Sequence, residues 1–271
     1  MRGASQASYE AVERGFEPEL RAAGTDAATI GAQLFSVVDA LDGSGSLRRA
    51  LSDPSRAGQD KAGLVDGLLR GKVDDRVVEV LQAVARARWS AEVDLLEAVE
   101  RLAAEAVLAS AEAEDALEQV EDELFRLGRF LIGERTLRQA MTDRRADPSA
   151  RAELVSTVLA GKVHRTTLQL VQRAAAHPRG RTMAASLGDL GDLAAHRRQL
   201  LVAEVTSATP LSTAQEARLA EVLERTYGRA VSVNVGIDPD VLGGLRIQVG
   251  SEVVDSTLLS RLDDVRRRLA S

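Results

Sequence analysis

Cysteine is absent from the 271 residues, which excludes disulfides and thiolate chemistry and is compatible with a reducing compartment. Aromatic residues make up only 3%, and no basic patch interleaved with them occurs. The formal net charge is −6, so a phosphate backbone meets repulsion overall, and nucleic acid is not an expected partner. Long apolar runs are missing too. The longest stretch without Asp, Glu, Lys or Arg is Ala27 to Val38, too short to span a bilayer, and Met1-Arg2-Gly3-Ala4-Ser5 is not followed by a signal-peptide core. These absences predict a soluble, cytoplasmic chain.

Catalytic constellations are also lacking. His164, His177 and His196 stand apart, with no His-x-x-x-His or Glu-x-x-His spacing to hold a metal. Gly67-Leu68-Leu69-Arg70-Gly71-Lys72-Val73 resembles a phosphate loop only superficially: the glycines are too close, no Ser or Thr follows the lysine, and a helix precedes it, so a helix end is the better reading. Asp74-Asp75 and Asp263-Asp264 are adjacent on helices, point apart and cannot share a substrate. No nucleophile sits beside a base. The expectation is a protein that is not an enzyme and carries no cofactor or metal. Trp89, the only indole, is read as a core or interdomain anchor in preference to a binding hot spot.

What the chain does contain is helix. Ala, Leu, Arg and Glu dominate, 28% of residues are charged, and six prolines leave long stretches unbroken. The spacing predicts a first helix from Ala4 to Leu20 with Tyr9, Val12, Phe16 and Leu20 on one face. A second, capped by Asp26, carries Ile30, Leu34, Val37, Val38 and Leu41 to the Gly43-Ser44-Gly45 turn. One or two helical turns cover Leu47 to Leu51, and another helix covers Ser55 to Leu69. From Asp74 or Asp75 the run Val77, Val78, Val80, Leu81, Val84 is apolar over more than half its circumference and needs helices packed around it.

No Gly or Pro occurs from Lys72 to Leu127, so Ala91 to Leu127 reads as one helix or two nearly coaxial ones, about 55 Å long if continuous. Its apolar face holds Leu95, Leu96, Val99, Leu102, Ala106, Leu117, Val120 and Leu124. The remainder carries Glu97, Glu100, Glu105, Glu112, Glu114, Glu118 and Glu121, read as a solvated surface, with a docking strip for a basic partner as the alternative.

The helical region is duplicated. An ungapped shift of 90 residues places Leu34-Phe35 on Leu124-Phe125 and Leu41 on Leu131. It also places Leu47, Arg48, Ala50 and Asp53 on Leu137, Arg138, Ala140 and Asp143, and Gly71-Lys72-Val73 on Gly161-Lys162-Val163. Each copy is therefore one supersecondary unit.

The last seventy residues change period. Leu200 to Ser207 reads as a strand stopped by Pro210. Ser212 and Gln215 form a capping box for a helix with Leu219, Val222 and Leu223 on its apolar face, stopped at Gly228. Val231, Val233, Val235 and Ile237 alternate as in a half-buried strand. Asp238-Pro239 turns, Gly243-Gly244 leads to Leu245, Ile247 and Val249, Gly250-Ser251 reverses the chain before Val253-Val254, and a helix with Leu258, Leu262, Val265 and Leu269 closes it. The expected fold is mainly α: helical bundles over 1–106 and 107–198, followed by a small α/β domain over 199–271.

This tail carries a resemblance. Glu204-Val205-Thr206-Ser207-Ala208-Thr209-Pro210-Leu211-Ser212, Tyr227-Gly228, Ile237-Asp238-Pro239, Leu242-Gly243-Gly244-Leu245-Arg246-Ile247-Gln248-Val249-Gly250 and Val254-Asp255-Ser256 resemble, in order, the C-terminal domain of the delta subunits of rotary ATP synthases. Both helical copies resemble the family's N-terminal six-helix domain. The usual pattern has one such domain; the duplication, Arg88-Trp89-Ser90 and Val120 to Arg126 are similar to actinobacterial delta chains.

The resemblance implies a non-catalytic stator subunit. It would tie the head of alpha and beta subunits to a b-type peripheral stalk against rotor torque, on the cytoplasmic face of the cell membrane, associated with the membrane only through the complex. It further implies that an amphipathic alpha-subunit helix docks between the first helix and the Val77 to Val84 helix, or on the matching Leu168 to Ala175 helix. The head-side residues would be Val77, Val80, Leu81, Val84, Leu168 and Val171, and the stalk-side ones Asp238, Pro239, Gly243, Gly244, Leu258 and Leu262. The alternative is a helical-repeat scaffold or regulatory adaptor unrelated to the synthase, which explains the duplication but not the ordered tail motifs.

Overall fold

The computed structural model describes residues 1, 3–143, 145–199, 201–227, 231–238, 244–249 and 252–255. It divides into two units, Met1–Arg198 and Gln199–Ser271. The first is helical: α1 (Ala4–Ala23), α2 (Ala27–Gly43), α3 (Gly45–Ser52), α4 (Gly58–Leu69), α5 (Asp75–Arg86), α6 (Glu92–Glu112), α7 (Leu117–Gly133), α8 (Arg135–Thr142), α9 (Pro148–Leu159), α10 (Arg165–Ala176) and α11 (Met183–Gln199).

Local chemistry sets these ends. Side chains of Ser44, Asp74, Asp147 and His164 accept the N–H of Leu47, Arg76, Ser149 and Thr166, capping α3, α5, α9 and α10. Gly71 and Gly161 sit at φ 75° and 74° beyond α4 and α9, and Lys72 and Lys162 donate to the Leu68 and Val158 carbonyls at 2.8 and 2.9 Å. The shared Gly-Lys is thus a helix terminator that satisfies a free carbonyl, not a phosphate cradle. Two expectations shift. Asp26 makes no side-chain cap, because the chain enters α2 through a 3₁₀ turn at Gly24–Asp26. The helix expected from Ser55 starts at Gly58, because the Asp53 carboxylate takes both the N–H and the hydroxyl of Ser55 and holds a turn there.

The glycine-free stretch breaks after Glu112. Asp115 stands at φ 56°, and the N–H groups of Ala116 and Asp115 return to the carbonyls of Ala111 and Glu112 at 2.8 and 3.0 Å. This is a Schellman motif with aspartate in the left-handed position that glycine usually takes. Two helices result, of 21 and 17 residues.

The duplication is visible in the boundaries of α2 to α5. Spans 27–43, 45–52, 58–69 and 75–86 recur at 117–133, 135–142, 148–159 and 165–176. Side-chain bonds recur as well: Arg48 to the Leu41 and Asp42 carbonyls matches Arg138 to those of Leu131 and Ile132. Gln33 accepting the Asp74 N–H matches Glu123 accepting that of His164. Moved by the same shift, α1 (4–23) falls on α6 (92–112), and α6 falls on α11 (183–199). The two six-helix units therefore share α6, the last helix of the first and the first helix of the second. A boundary at Ala106 falls inside this common helix.

Sharing explains its burial. From Leu102 to Ala111 every residue of α6 is buried, within one hydrophobic core that runs from Tyr9 to Ala194. At the closest crossing α2 uses Gly31, where an added Cβ would stand 2.5 Å from Val107 Cγ2 and 2.8 Å from the Ala103 carbonyl. Only glycine admits that approach. The α1 stripe of Tyr9, Val12, Phe16 and Leu20 is buried as its spacing predicts. Trp89 is a core residue, its Nε1 donating to the Val84 carbonyl at 2.8 Å.

The second unit holds β1 (Leu201–Ser207), α12 (Thr213–Tyr227), β2 (Val231–Ile237), β3 (Leu245–Val249) and β4 (Glu252–Asp255), in a sheet of order β2-β1-β3-β4. β1 and β2 are parallel and joined through α12, whereas β3 runs antiparallel to both β1 and β4. The Ser212–Gln215 capping box forms, with Gln215 N–H to Ser212 Oγ at 3.3 Å and Ser212 N–H to Gln215 Oε1 at 2.8 Å. Ala203, Val205, Leu223, Val231 and Val249 make the core. Val222 and Ile237, expected on apolar faces, are exposed instead. The chain is mainly α with a small α/β unit, as its patterns indicate. The closing helix expected after Val254 lies outside the described residues.

Candidate partner-binding groove

A groove of about 670 Å³ runs between α1 and α5, floored by Ala7, Ala11 and Gly15 on one side and by Val80, Ala83 and Ala87 on the other. The three α1 residues are four apart, so they stack on one helix face and their small size leaves a channel. A Cβ added at Gly15 would meet nothing within 4 Å. Glu19, Glu79, Arg76 and Arg86 form the rim, with Arg76 held by two hydrogen bonds to Asp74 at 2.9 and 2.8 Å. An apolar floor with charges of both signs at its edge suits the apolar stripe of an amphipathic helix.

The matching place in the second unit, between α6 and α10, is built from different residues. Ninety residues on from Ala7, Ala11, Gly15, Ala83 and Ala87 stand Glu97, Arg101, Glu105, Arg173 and His177. Every one has a partner inside the chain. Glu97 faces the Met1 ammonium at 3.6 Å, Arg101 lies 4.7 Å over the Tyr9 ring, and Glu105 accepts the Tyr9 hydroxyl. Arg173 makes a two-pronged pair with Asp39 at 2.8 and 2.7 Å and lies 4.7 Å over Phe35, and His177 stands 3.4 Å from Asp39. Phe35 and Leu193 help reduce what is left to a cavity of about 160 Å³.

The titration of these groups follows from their burial. Desolvation, then the neighbouring Glu13 carboxylate, raises Glu105 well above the usual carboxylate range. Desolvation first, and the Glu105 charge next, holds the Tyr9 phenol protonated. Partial burial pushes Asp39 up, but hydrogen bonding to Arg173 outweighs it and the carboxyl falls below its ordinary value. His177 is pushed down by burial and then by Arg173.

Most of the acidic strip on α6 and α7 fits neither reading, because its carboxylates dock on the chain's own cations, while Glu118 stays exposed as on a solvated surface. Glu100 binds Arg179 and Arg181 at 2.8 and 2.5 Å, Glu112 binds Arg197 at 2.7 Å, Glu121 binds Arg198 at 2.7 Å, and Glu114 binds Arg165. Arg197 also grips Glu17 of α1 through both nitrogens at 2.8 and 3.0 Å, and both residues are buried. A periodicity reading places such carboxylates on the outside of a helix; α11 folding back over α1 and α6 turns them inward.

Of the residues anticipated on the head side, Val80 lines the groove. Val77, Leu81, Val84 and Val171 belong to the hydrophobic core, and Leu168 is half-buried against it. The floor residues Ala7, Ala11, Gly15, Ala83 and Ala87 escape a search for large apolar side chains; the available signal is a run of small residues at helical spacing, facing charged residues in the other copy. On the stalk side, Asp238 donates its N–H to the Ser207 carbonyl at 2.9 Å and closes the β1–β2 end. Gly244 takes φ 91°, which favours glycine. Pro239, Gly243, Leu258 and Leu262 lie outside the described residues. Among the described residues, no helix is long and apolar enough to cross a membrane, and no cluster of carboxylates and histidines could hold a metal ion.

Comparisons with known proteins give a consistent family. The model of the ATP synthase delta (OSCP) subunit matches residues 99–269, which begins inside α6 and so takes in the second helical unit and the α/β unit but not α1 to α5. Over its full length the chain is 51% identical to the ATP synthase subunit delta of Beutenbergia cavernae, across 270 residues and all of both chains. It is 46% identical to that of Kineococcus radiotolerans, over 99% of this chain and 97% of the relative, and 42% identical to that of Streptomyces avermitilis, over 99% and 98%. A chain of the Toxoplasma gondii mitochondrial ATP synthase hexamer, solved by cryo-EM, aligns at 15% identity over 62% of this chain and 95% of its own, with a TM-score of 0.28.

Proposed function

Because the chain belongs to the ATP synthase delta (OSCP) subunit family, we propose that it is a non-catalytic stator subunit whose first helical unit takes the head and whose α/β unit takes the stalk. Such a connector needs two separate contacts in series, one to the alpha and beta subunits and one to a b-type subunit rooted in the membrane. The α1–α5 groove receives an amphipathic alpha-subunit helix, and the Gln199–Ser271 unit holds the stalk end. The subunit then works on the cytoplasmic face of the membrane, attached only through the complex, and resists rotor torque without an active site of its own. Family membership leaves no room for a helical scaffold unrelated to the synthase.

The observation that carries this reading is the asymmetry between copies: the groove of the first unit is open and floored with alanine, while that of the second is filled with charged side chains paired within the chain. The head-binding role accordingly lies with α1 and α5, outside the span that the family model matches. A peptide of the alpha-subunit N-terminus, titrated into the full chain, tests it. Ala83→Arg, which copies Arg173 into the open groove, should weaken binding at least about tenfold, or 1.4 kcal/mol. Binding untouched by that change but lost on Arg173→Ala would place the site in the second unit. Deleting residues 200–271 should release a b-type partner in a pull-down while peptide binding persists; full retention of that partner would refute the division of roles.

A further inference from the structure

The repeat also shows what belongs on a face left bare. On α2, Phe35 and Asp39 are met by α10: the Arg173 guanidinium lies over the Phe35 ring and chelates Asp39 at 2.7 and 2.8 Å, leaving Phe35 7% exposed and the Asp39 carboxylate open on its outer side. Helix 5 of the later unit thus reaches helix 2 of the earlier one through the long Arg173 side chain. The second unit has no successor. Its helix 2 is α7, and the residues in register with Phe35, Asp39 and Asp42 are Phe125, Arg129 and Ile132, four and three residues apart on one helix face.

A terminal repeat that faced water would carry a polar outer surface. α7 does the reverse. The phenylalanine is kept and stands 61% exposed, and the exposed Asp42 is replaced by an isoleucine that is 68% exposed. The charge between them is inverted, from Asp39 to Arg129, and the Arg129 guanidinium, 5.8 Å over the Phe125 ring, reaches no carboxylate among the described ion pairs. Large exposed apolar side chains gathered round an arginine mark a contact surface.

We propose that the Phe125–Arg129–Ile132 face of α7 docks an amphipathic helix of another subunit of the synthase, lying where α10 lies on α2. Its chemistry follows from the inversion. Where α10 presents Arg173 to Asp39, the docked helix presents an Asp or Glu to Arg129, flanked at helical spacing by aliphatic side chains that cover Phe125 and Ile132. The site is distinct from the α1–α5 groove, so failure here and failure of the peptide titration there can be told apart.

The test uses the assembled synthase purified through a tag on this chain, with Ile132→p-benzoylphenylalanine as photo-crosslinker and the same group at Gln119, exposed near the opposite end of α7, as control. The expected product is a crosslink from position 132, at least fivefold above the control, to a peptide of another subunit that contains an acidic residue within an amphipathic pattern. Arg129→Glu should cut its yield at least fivefold, and Lys in place of that acidic residue should restore it. A yield no higher than at position 119, a crosslink only to a second copy of this chain or within the chain, or a yield indifferent to Arg129→Glu would overturn the proposal. All three positions are exposed, so the thermal unfolding of the isolated variants should match the parent.

Discussion

The two helical units share one backbone plan, matched to the residue in their second to fifth helices, yet present opposite surfaces. In the first, helix 1 is α1, which lies at the edge of the helical unit, and helix 5 faces an open groove. In the second, helix 1 is α6, buried from Leu102 to Ala111, and the same groove is closed by elements of the first. Duplicating a unit therefore does not duplicate its binding face. Once two units share a helix, the later one must spend its groove on packing, and its alanines give way to charges that the earlier unit neutralises.

Four tests break or sharpen this contrast, in descending size. Removing the buried Glu17 carboxylate should cost most: Glu17→Ala leaves Arg197 with Glu112 alone, and about 3 kcal/mol of unfolding free energy should disappear in a urea titration. Combining Glu17→Leu with Arg197→Met should recover most of it, because an apolar pair of similar volume avoids the unpaired charge. The second effect contrasts matched positions. Gly31→Ala forces a Cβ against Val107 and the Ala103 carbonyl and should cost about 2 kcal/mol. Its counterpart, Glu121→Ala, loses a partly exposed pair with Arg198 and should cost under about 1 kcal/mol.

Third, Asp39→Ala with Arg173→Ala strips the plug from the second groove. Stability should fall by only about 1 kcal/mol, since the Asp39 carboxylate is well exposed, and calorimetry should show a second, weaker site for the alpha-subunit peptide. A stoichiometry fixed at one would mean that Phe35 and the backbone, not the charges, close the groove.

Last is a change of slope with pH. The Glu105 carboxyl is raised by burial, and Glu13 beside it is raised as well. A carboxyl raised in the folded state binds its proton more tightly there than in the unfolded chain. Its stabilising contribution is thus complete below the ordinary value of 4.5 and is lost as pH climbs through the raised one. The groups facing it are Tyr9 and Glu13 of α1 and Arg197 of α11, with Arg101 on α6 itself and His196 beyond Glu13. Glu105→Gln keeps the shape without the titration, so its melting temperature should fall less than the parent's between pH 5 and pH 8. Parallel curves would show that Glu105 is not the group responsible. Asp39 works in the opposite sense: lowered by Arg173, it stabilises above 3.8 and loses that contribution in acid.

By itself the sequence determined everything that depends on neighbours along the chain. Gly71-Lys72 and Gly161-Lys162 end helices, Ser212 and Gln215 start one, Val231 to Ile237 alternate as a strand, and the shift of ninety recurs in the boundaries of the second to fifth helices of each unit. These are local hydrogen bonds and periodicities, written within a few residues of where they act. Only the tertiary structure decided the rest. No short-range signal announced that Asp115 would take a left-handed turn, that α6 would serve two bundles at once, or that the carboxylates of Glu100, Glu105 and Glu112 would face inward. A charged residue at helical spacing is an outward residue unless something distant covers it, and what covers these lies about eighty to a hundred positions away, at Tyr9, Arg179 and Arg197. The groove was hidden for the same reason: it is made of small side chains, and a space between helices exists only once both helices are in place.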